Sequence, residues 1–336
     1  MESIKKQIGV GLVLSGGGGK GAYEIGVWRA LEEYGVSPNI SAVSGTSVGA
    51  LNAALFAQRD YAHAKHVWSI ISPDAILTLQ SMPFYGRIFD SMPGLLQGTV
   101  KTELIRKITQ WINQLAADQG FFTKEGLAKL IDESIDFQTI CTFPGPVYTA
   151  AFNLDDMRLE YFDIRAAQSS QSIRDRLLAS ASIPGVFGKT YVDGHLYWDG
   201  GLPEIGDNLP VKPLYDAGYR DLIVVHLSRE LPVDQKRFPG CRIIEIMPQE
   251  NLGGIRGTLN FNADQALKNM MRGYHDAVRV LAPLRSTGAA LFKMKSALHK
   301  VCTDRNDFWI KKQDIDQQNM EIRHQIDSIL DQYVKE

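Results

Sequence analysis

The chain has 336 residues, 44% hydrophobic and 22% charged, the composition of a globular protein and not of a disordered or fibrous one. Lys plus Arg total 36 against 38 for Asp plus Glu, a net charge of −2, so no positive excess calls for nucleic acid as a partner. Cys141, Cys241 and Cys302 are widely spaced, cannot all pair and form no CxxC or Cys/His cluster. That excludes a disulfide framework and a zinc finger and points to a reducing compartment, so the expected location is cytoplasmic. No run of about 18 apolar residues occurs, so no transmembrane helix is expected, and any membrane contact would be peripheral.

In chain order, residues 7–15 read as a short buried strand carrying Val10, Leu12, Val13 and Leu14. Gly16 to Gly19, Lys20 and Gly21 follow, and a helix starts at once, with Ala22, Ile25, Trp28 and Leu31 at helical spacing and Gly35 as its stop. Ile40 to Val43 is a second strand, running through Ser44-Gly45-Thr46-Ser47-Val48-Gly49 into an Ala-rich helix over 50–58. Strand, helix, strand, helix at this spacing predicts a parallel sheet with helices on its faces.

Residues 72–145 are richer in breakers and apolar groups, with Phe84, Leu95 and Leu96 followed by a helical stripe through Leu104, Ile108 and Trp111. They read either as a helical insertion packed on the sheet or as a cap over an apolar site. Strands return at 147–152 and 159–162, a helix at 174–182, and a hairpin at 189–198 with Asp193-Gly194 at its turn. Buried strands follow at 222–227 and 242–247. From about Asn262 the chain reads helical to its end, closing on a stripe of Ile315, Ile322, Ile326, Ile329 and Tyr333. Residues 293–312 carry six Lys or Arg against Asp304 and Asp307, near Phe292, Met294 and Trp309. This is either a solvated helix face or a surface for anionic lipid. The expected organisation is a single domain over 1–336, with 72–145 as the insertion and 255–336 as a C-terminal helical region.

Three elements carry chemistry. Gly45-Thr46-Ser47-Val48-Gly49 is GxSxG between strand and helix, a tight turn that would expose Ser47 at a helix N-terminus. Gly16 to Gly21 forms a run whose N–H groups could converge on a phosphate or an oxyanion. A Walker A loop would need Ser or Thr after Lys20, where Gly21 stands, and a dinucleotide site would need an acidic residue near Ser41–Ser44. Lys20 itself can be read as only a solvated charge and is assigned no catalytic role. Asp199-Gly200-Gly201, after the hairpin, is either an ordinary turn or the base that a serine nucleophile needs. His226 and His275 follow Asp199 in the order a triad would require, and His195 sits in the hairpin, but none has a surrounding motif.

GGGGKG at 16–21, GTSVG at 45–49 and DGG at 199–201, in this order and separation, resemble the patatin-like phospholipase family. Ser180-Ala181-Ser182-Ile183-Pro184, Phe187 and Asn208-Leu209-Pro210 add to the resemblance, while Leu202 to Asp207 departs from it as a longer connection. The resemblance implies a three-layer α/β/α fold with a mainly parallel sheet. It also implies a Ser–Asp dyad in place of a triad, with Ser47 as nucleophile, Asp199 as general base and the amides of Gly17, Gly18 and Gly19 as oxyanion hole. The implied activity is hydrolysis of fatty-acyl esters of lipids, with no cofactor and no metal, at a membrane surface. A homo-oligomer is left open. The rival readings are a nucleotide-binding α/β protein and a catalytically silent scaffold of the same fold.

Overall fold

The computed structural model describes residues 9–76, 78–79, 122–229 and 232–333. It divides into two units, Met1–Val280 and Leu281–Glu336. The first holds an eight-stranded mixed sheet, and the second is the continuation of one long helix.

Strand β1 (Val10–Leu14) leads through a 3-10 turn at Gly18–Gly21 into α1 (Ala22–Glu33). Gly35, at φ 68°, ends that helix as expected, with Val36 N–H on Leu31 O at 2.8 Å. β2 (Ile40–Thr46) runs into α2 (Val48–Ala57), followed by α3 (Tyr61–Ile70), α4 (Pro73–Ile76) and β3 (Thr78–Leu79). The insertion expected over 72–145 is described only at its ends. Phe84, Leu95, Leu96 and the helical stripe from Leu104 to Trp111 lie outside the described residues. The chain is described again at β4 (Phe122–Thr123), paired with β3, then α5 (Glu125–Ser134) and α6 (Phe137–Cys141).

β5 (Val147–Asn153), β6 (Arg158–Asp163), α7 (Ser170–Ser180), β7 (Thr190–Val192) and β8 (His195–Asp199) follow. The β7–β8 turn is Asp193-Gly194, with φ 49° and 94°, the two positive values that a two-residue hairpin of this hand needs. α8 (Val211–Asp216), β9 (Asp221–Val225), β10 (Arg242–Ile246), α9 (Gly254–Leu259) and α10 (Ala263–Tyr333) complete the chain.

The sheet order is β10-β9-β1-β2-β5-β8-β7, with β6 also on β5. The expected parallel sheet is realised over β10, β9, β1, β2 and β5, while β6, β7 and β8 join antiparallel. Both faces of β1 are covered, as alternation requires. Val13 packs with Val211, Leu214 and Phe238, while Leu12 and Leu14 border the same small cavity as Ile25, Trp28 and Phe56.

The join between the sheet's two halves decides where the site forms. β2 occupies one edge of β5 only as far as Thr46, which pairs with Ala150. β8, running the opposite way, takes over that edge and ends at Asp199, paired with Ala151. Two strands of opposite direction therefore finish at adjacent rungs of one neighbour.

Backbones crowd at that junction. A Cβ on Gly200 would stand 2.4 Å from Ala150 O, one on Gly45 2.1 Å from Gly49 O, and one on Gly49 2.4 Å from Leu14 O. Gly35 by contrast has open space around it. Gly49→Ala is expected to cost on the order of 2–4 kcal/mol in chemical denaturation, because backbone must shift. Gly35→Ala should cost only about 1 kcal/mol, through its left-handed φ. Equal losses at the two positions would contradict this account.

Candidate active site

Ser47 sits between β2 and α2 with φ 56° and ψ −124°, a conformation a non-glycine residue holds only when its surroundings enforce it. Three hydrogen bonds do so. Its N–H donates to Ser180 Oγ at 2.9 Å, and its carbonyl accepts from Ala50 N at 2.9 Å and Leu51 N at 3.3 Å. Next to it, Thr46 Oγ1 donates to Asp207 O at 2.7 Å. The turn is thus clamped from α7 on one side and from the loop after β8 on the other. Ser180 belongs to the SASIP run noted in the sequence, but a side chain that accepts a backbone N–H 133 residues away leaves no local sequence signal.

Asp199 is buried at the end of β8. Its N–H donates to Ser182 O at 2.9 Å, and its Oδ1 accepts from Gly201 N at 2.7 Å. Oδ2 has no hydrogen-bond partner among the described residues. Burial raises the carboxyl, and interactions with the Ser47 hydroxyl and Gly201 N–H lower it part of the way back, which leaves it at about 6 against an ordinary 3.8. The Ser47 hydroxyl is therefore near enough to act on Asp199, although the free Oδ2 makes no formed hydrogen bond with it. A loose contact of this kind is common before substrate binds.

The glycine turn closes the third side. Gly16 N–H donates to Asn208 O at 3.2 Å, and Asn208 Nδ2 donates to Gly16 O at 3.4 Å. A Cβ on Gly16 would meet Asn208 Oδ1 at 2.4 Å and Ser47 Cβ at 3.3 Å, and one on Gly201 would meet the same Asn208 Oδ1 at 2.7 Å. Asn208 therefore lies between the glycine turn and the DGG loop, a bridging position that its place in the sequence did not reveal. The longer connection from Leu202 to Asp207 folds onto itself, with Gly206 N–H on Leu202 O at 2.8 Å, and Asp207 N–H returns to Gly200 O at 2.7 Å.

Gly17, Gly18 and Gly19 open the 3-10 turn, where the first N–H groups have no carbonyl to meet within the helix. Among the described residues these three N–H groups donate no backbone hydrogen bond outside regular structure. Cβ atoms on Gly18 and Gly19 would stand 2.0 Å from the carbonyls of Thr258 and Asn260, so only glycine fits beneath the end of α9. The turn is held by Asn52, whose Nδ2 donates to Gly21 O at 3.0 Å, and Asn52 is in turn held by Glu24, buried and pushed well up in pKa by desolvation. Its Oε2 accepts from Asn52 Nδ2 at 2.7 Å, and Trp68 Nε1 donates to Asn52 Oδ1 at 2.9 Å. Lys20 borders a cavity of about 360 Å³ with Ser228, Arg229 and Asn251, and neither Ser47 nor Asp199 lines it.

The histidines are placed elsewhere. His226 is buried against Glu245, 2.8 Å from Oε2, His195 Nδ1 lies 3.3 Å from Asp155, and His275 is exposed beside Tyr274. None is among the groups that act on the Asp199 carboxyl. Lys124 is a half-buried amine that sequence reading passed over. It donates to Ser182 Oγ at 2.7 Å and to Thr190 Oγ1, and desolvation pulls it from 10.5 down to about 7. Ser182 also receives the Asp199 N–H, so Lys124 braces the segment that carries the carboxyl. No group of three or more His, Cys, Asp or Glu that could hold a metal occurs among the described residues.

A family model described as Patatin-like phospholipase matches residues 12–215. The chain belongs to the patatin-like phospholipase family. Its mixed sheet with helices on both faces is the three-layer α/β/α arrangement the motifs led one to expect. Lysophospholipase nte1 of Aspergillus terreus is 53% identical over 211 residues, covering 62% of this chain and 11% of that protein. Lysophospholipase NTE1 of Cryptococcus neoformans is 27% identical over 220 residues, covering 65% of this chain and 11% of that protein. The chain thus matches about a tenth of the length of these relatives. Among solved structures, VipD from Legionella pneumophila aligns with a TM-score of 0.38 and 14% identity, over 82% of this chain and 67% of VipD.

The raised Asp199 carboxyl has a stability consequence with a definite sign. The fold disfavours the charged form, so its cost is absent below about pH 4 and fully present above about pH 6. Asp199→Asn should therefore be more stable than wild type at pH 8, by up to about 3 kcal/mol for a shift near two units. The advantage should vanish toward pH 4, as read from denaturant midpoints across that range.

Proposed function

We propose that the chain is a serine acyl hydrolase of lipid esters, with Ser47 as nucleophile and Asp199 as general base. The observation that carries this reading is the meeting of β2 and β8 on adjacent rungs of β5, with a desolvated carboxyl beside a strained serine. A carboxylate of ordinary pKa would be a weak base. One raised to about 6 is still ionised at neutral pH and holds a proton more firmly.

The reaction follows from these atoms. Asp199 accepts the Ser47 Oγ proton as Oγ attacks the acyl carbon. The carbonyl electron pair moves to oxygen, and the resulting oxyanion takes hydrogen bonds from the amides of Gly17, Gly18 and Gly19. Collapse of the tetrahedral species expels the alcohol, which leaves with the proton held by Asp199. Water then attacks the acyl-serine and gives a proton to Asp199, and collapse of the second tetrahedral species releases the fatty acid as Asp199 returns that proton to Ser47 Oγ. No step calls for a metal or cofactor.

The substrate class rests on the family and on relatives named lysophospholipases, which favour fatty-acyl esters of phospholipid or lysophospholipid. The reading of 72–145 as a cap gains support where the chain returns from it. Phe122 N–H, within the insertion, donates to Val186 O at 2.9 Å, tying it to the segment that leads from Ser182. No helix among the described residues is long and apolar enough to cross a membrane. The nucleotide-binding alternative gains no observation.

Ser47→Ala and Asp199→Asn should each lower release of fatty acid from phospholipid vesicles by about 10³-fold or more with the fold intact. Wild type, but not Ser47→Ala, should label with a fluorophosphonate. Either variant keeping most of its activity would sink the dyad. For wild type, kcat/KM should fall about tenfold per unit as pH drops below about 6, because protonated Asp199 cannot accept the Ser47 proton. His226→Gln should leave that limb in place, and its disappearance would transfer the base role to histidine.

A further inference from the structure

An oxyanion hole works only if its donors are held at a fixed place relative to the nucleophile, and here the two sit on different elements. Ser47 caps α2, whereas Gly17, Gly18 and Gly19 belong to the turn that leads into α1. Among the described residues no backbone hydrogen bond outside regular structure joins residues 17–21 to α2. The end of the turn nevertheless presses on α2. A Cβ on Gly21 would stand 2.5 Å from Cγ2 of Val48, the residue after Ser47, and 3.1 Å from Asn52 Nδ2.

Asn52, about one helical turn beyond Val48, supplies the tie that the backbone lacks. Its side-chain amide is fully committed. Nδ2 donates to Gly21 O at 3.0 Å and to Glu24 Oε2 at 2.7 Å, and Oδ1 accepts from Trp68 Nε1 at 2.9 Å. These partners use both N–H hydrogens and the carbonyl, and they exclude the flipped amide. Glu24 lies on α1, and the Ser15 backbone acts on the same carboxyl from the start of the glycine run, although Oε1 makes no formed hydrogen bond. Both ends of the run, Ser15 and Gly21, thus converge on one pair of side chains. Glu24, Asn52 and Trp68 are all buried. The first two border a small cavity otherwise walled by apolar groups such as Leu12, Leu14, Ile25 and Phe56. An apolar pair would fill that place without the cost of desolvating two polar side chains. What the polar pair adds is direction: it fixes the Gly21 carbonyl, and with it the turn, against the helix that Ser47 caps.

We propose that Glu24 and Asn52 are positioning residues for the oxyanion hole, holding the Gly17, Gly18 and Gly19 amides in place against Ser47. The inference rests on the proposed roles of Ser47 and the glycine turn. Neither side chain touches the reacting atoms. Burial favours the neutral form of the Glu24 carboxyl, so Gln, which keeps an acceptor oxygen, can replace it.

Fluorophosphonate titration run to completion should label wild type and not Ser47→Ala. No labelling of wild type would overturn the Ser47 reading, and this inference with it. Per labelled chain, Asn52→Leu should lower kcat for fatty-acid release from phospholipid vesicles by about 10- to 100-fold, with KM changed by less than about twofold, because the donors are displaced and not removed. The inhibition constant of an alkyl trifluoromethyl ketone, whose adduct with Ser47 carries an oxyanion, should rise by the same factor. Glu24→Leu should follow Asn52→Leu, while Glu24→Gln should stay within about threefold of wild type. A merely structural role would lower the denaturant midpoint and the fraction of chains that label, and leave turnover per labelled chain unchanged. That result would overturn the proposal, and so would a loss confined to KM. Should Asn52→Leu not fold, the contrast between Glu24→Leu and Glu24→Gln decides in the same way.

Discussion

The site depends on one feature of strand pairing: β5 is shared along a single edge by two strands that arrive from opposite directions. β2, parallel to β5, brings the serine turn to Ala150, and β8, antiparallel, brings Asp199 to Ala151. Had β8 been parallel, its C-terminal end would have continued past β5 and carried the carboxyl away from the serine. The mixed sheet is thus what brings the Ser47 turn and Asp199 to adjacent rungs. Crowding follows directly, and it explains why the junction is built from glycines at 45, 49 and 200, where a Cβ would stand well inside contact distance of backbone.

The same junction sets the electrostatics. Strand ends that abut leave no room for water around Asp199, and desolvation is the largest influence on its pKa. Taking a carboxyl into such a place costs stability once it ionises, and the positive φ of Ser47 adds about 1–3 kcal/mol of strain. These costs are carried by an extended polar frame: Ser180 on the Ser47 amide, Asp207 under Thr46, Asn208 between two glycine loops, and Lys124 bracing Ser182. A histidine would ordinarily supply a base with pKa near neutrality. Here burial moves a carboxyl into nearly that range.

How much of this was legible in the sequence depends on distance along the chain. The glycine run after β1, the stop at Gly35, the Asp193-Gly194 hairpin and the GxSxG turn are local, and their residue types follow from the backbone angles or close approaches at the same positions. The antiparallel pairing of β6 and β8 with β5 was not legible, because alternation in a strand gives its faces but not the direction of its neighbour. The partners of the site were missed for a related reason. Ser180, Asn208 and Lys124 act through contacts across 133, 192 and 58 residues, and a serine, an asparagine or a lysine carries no mark of such a contact. The resemblance located Ser180 and Asn208 in recurring runs without saying what either side chain does.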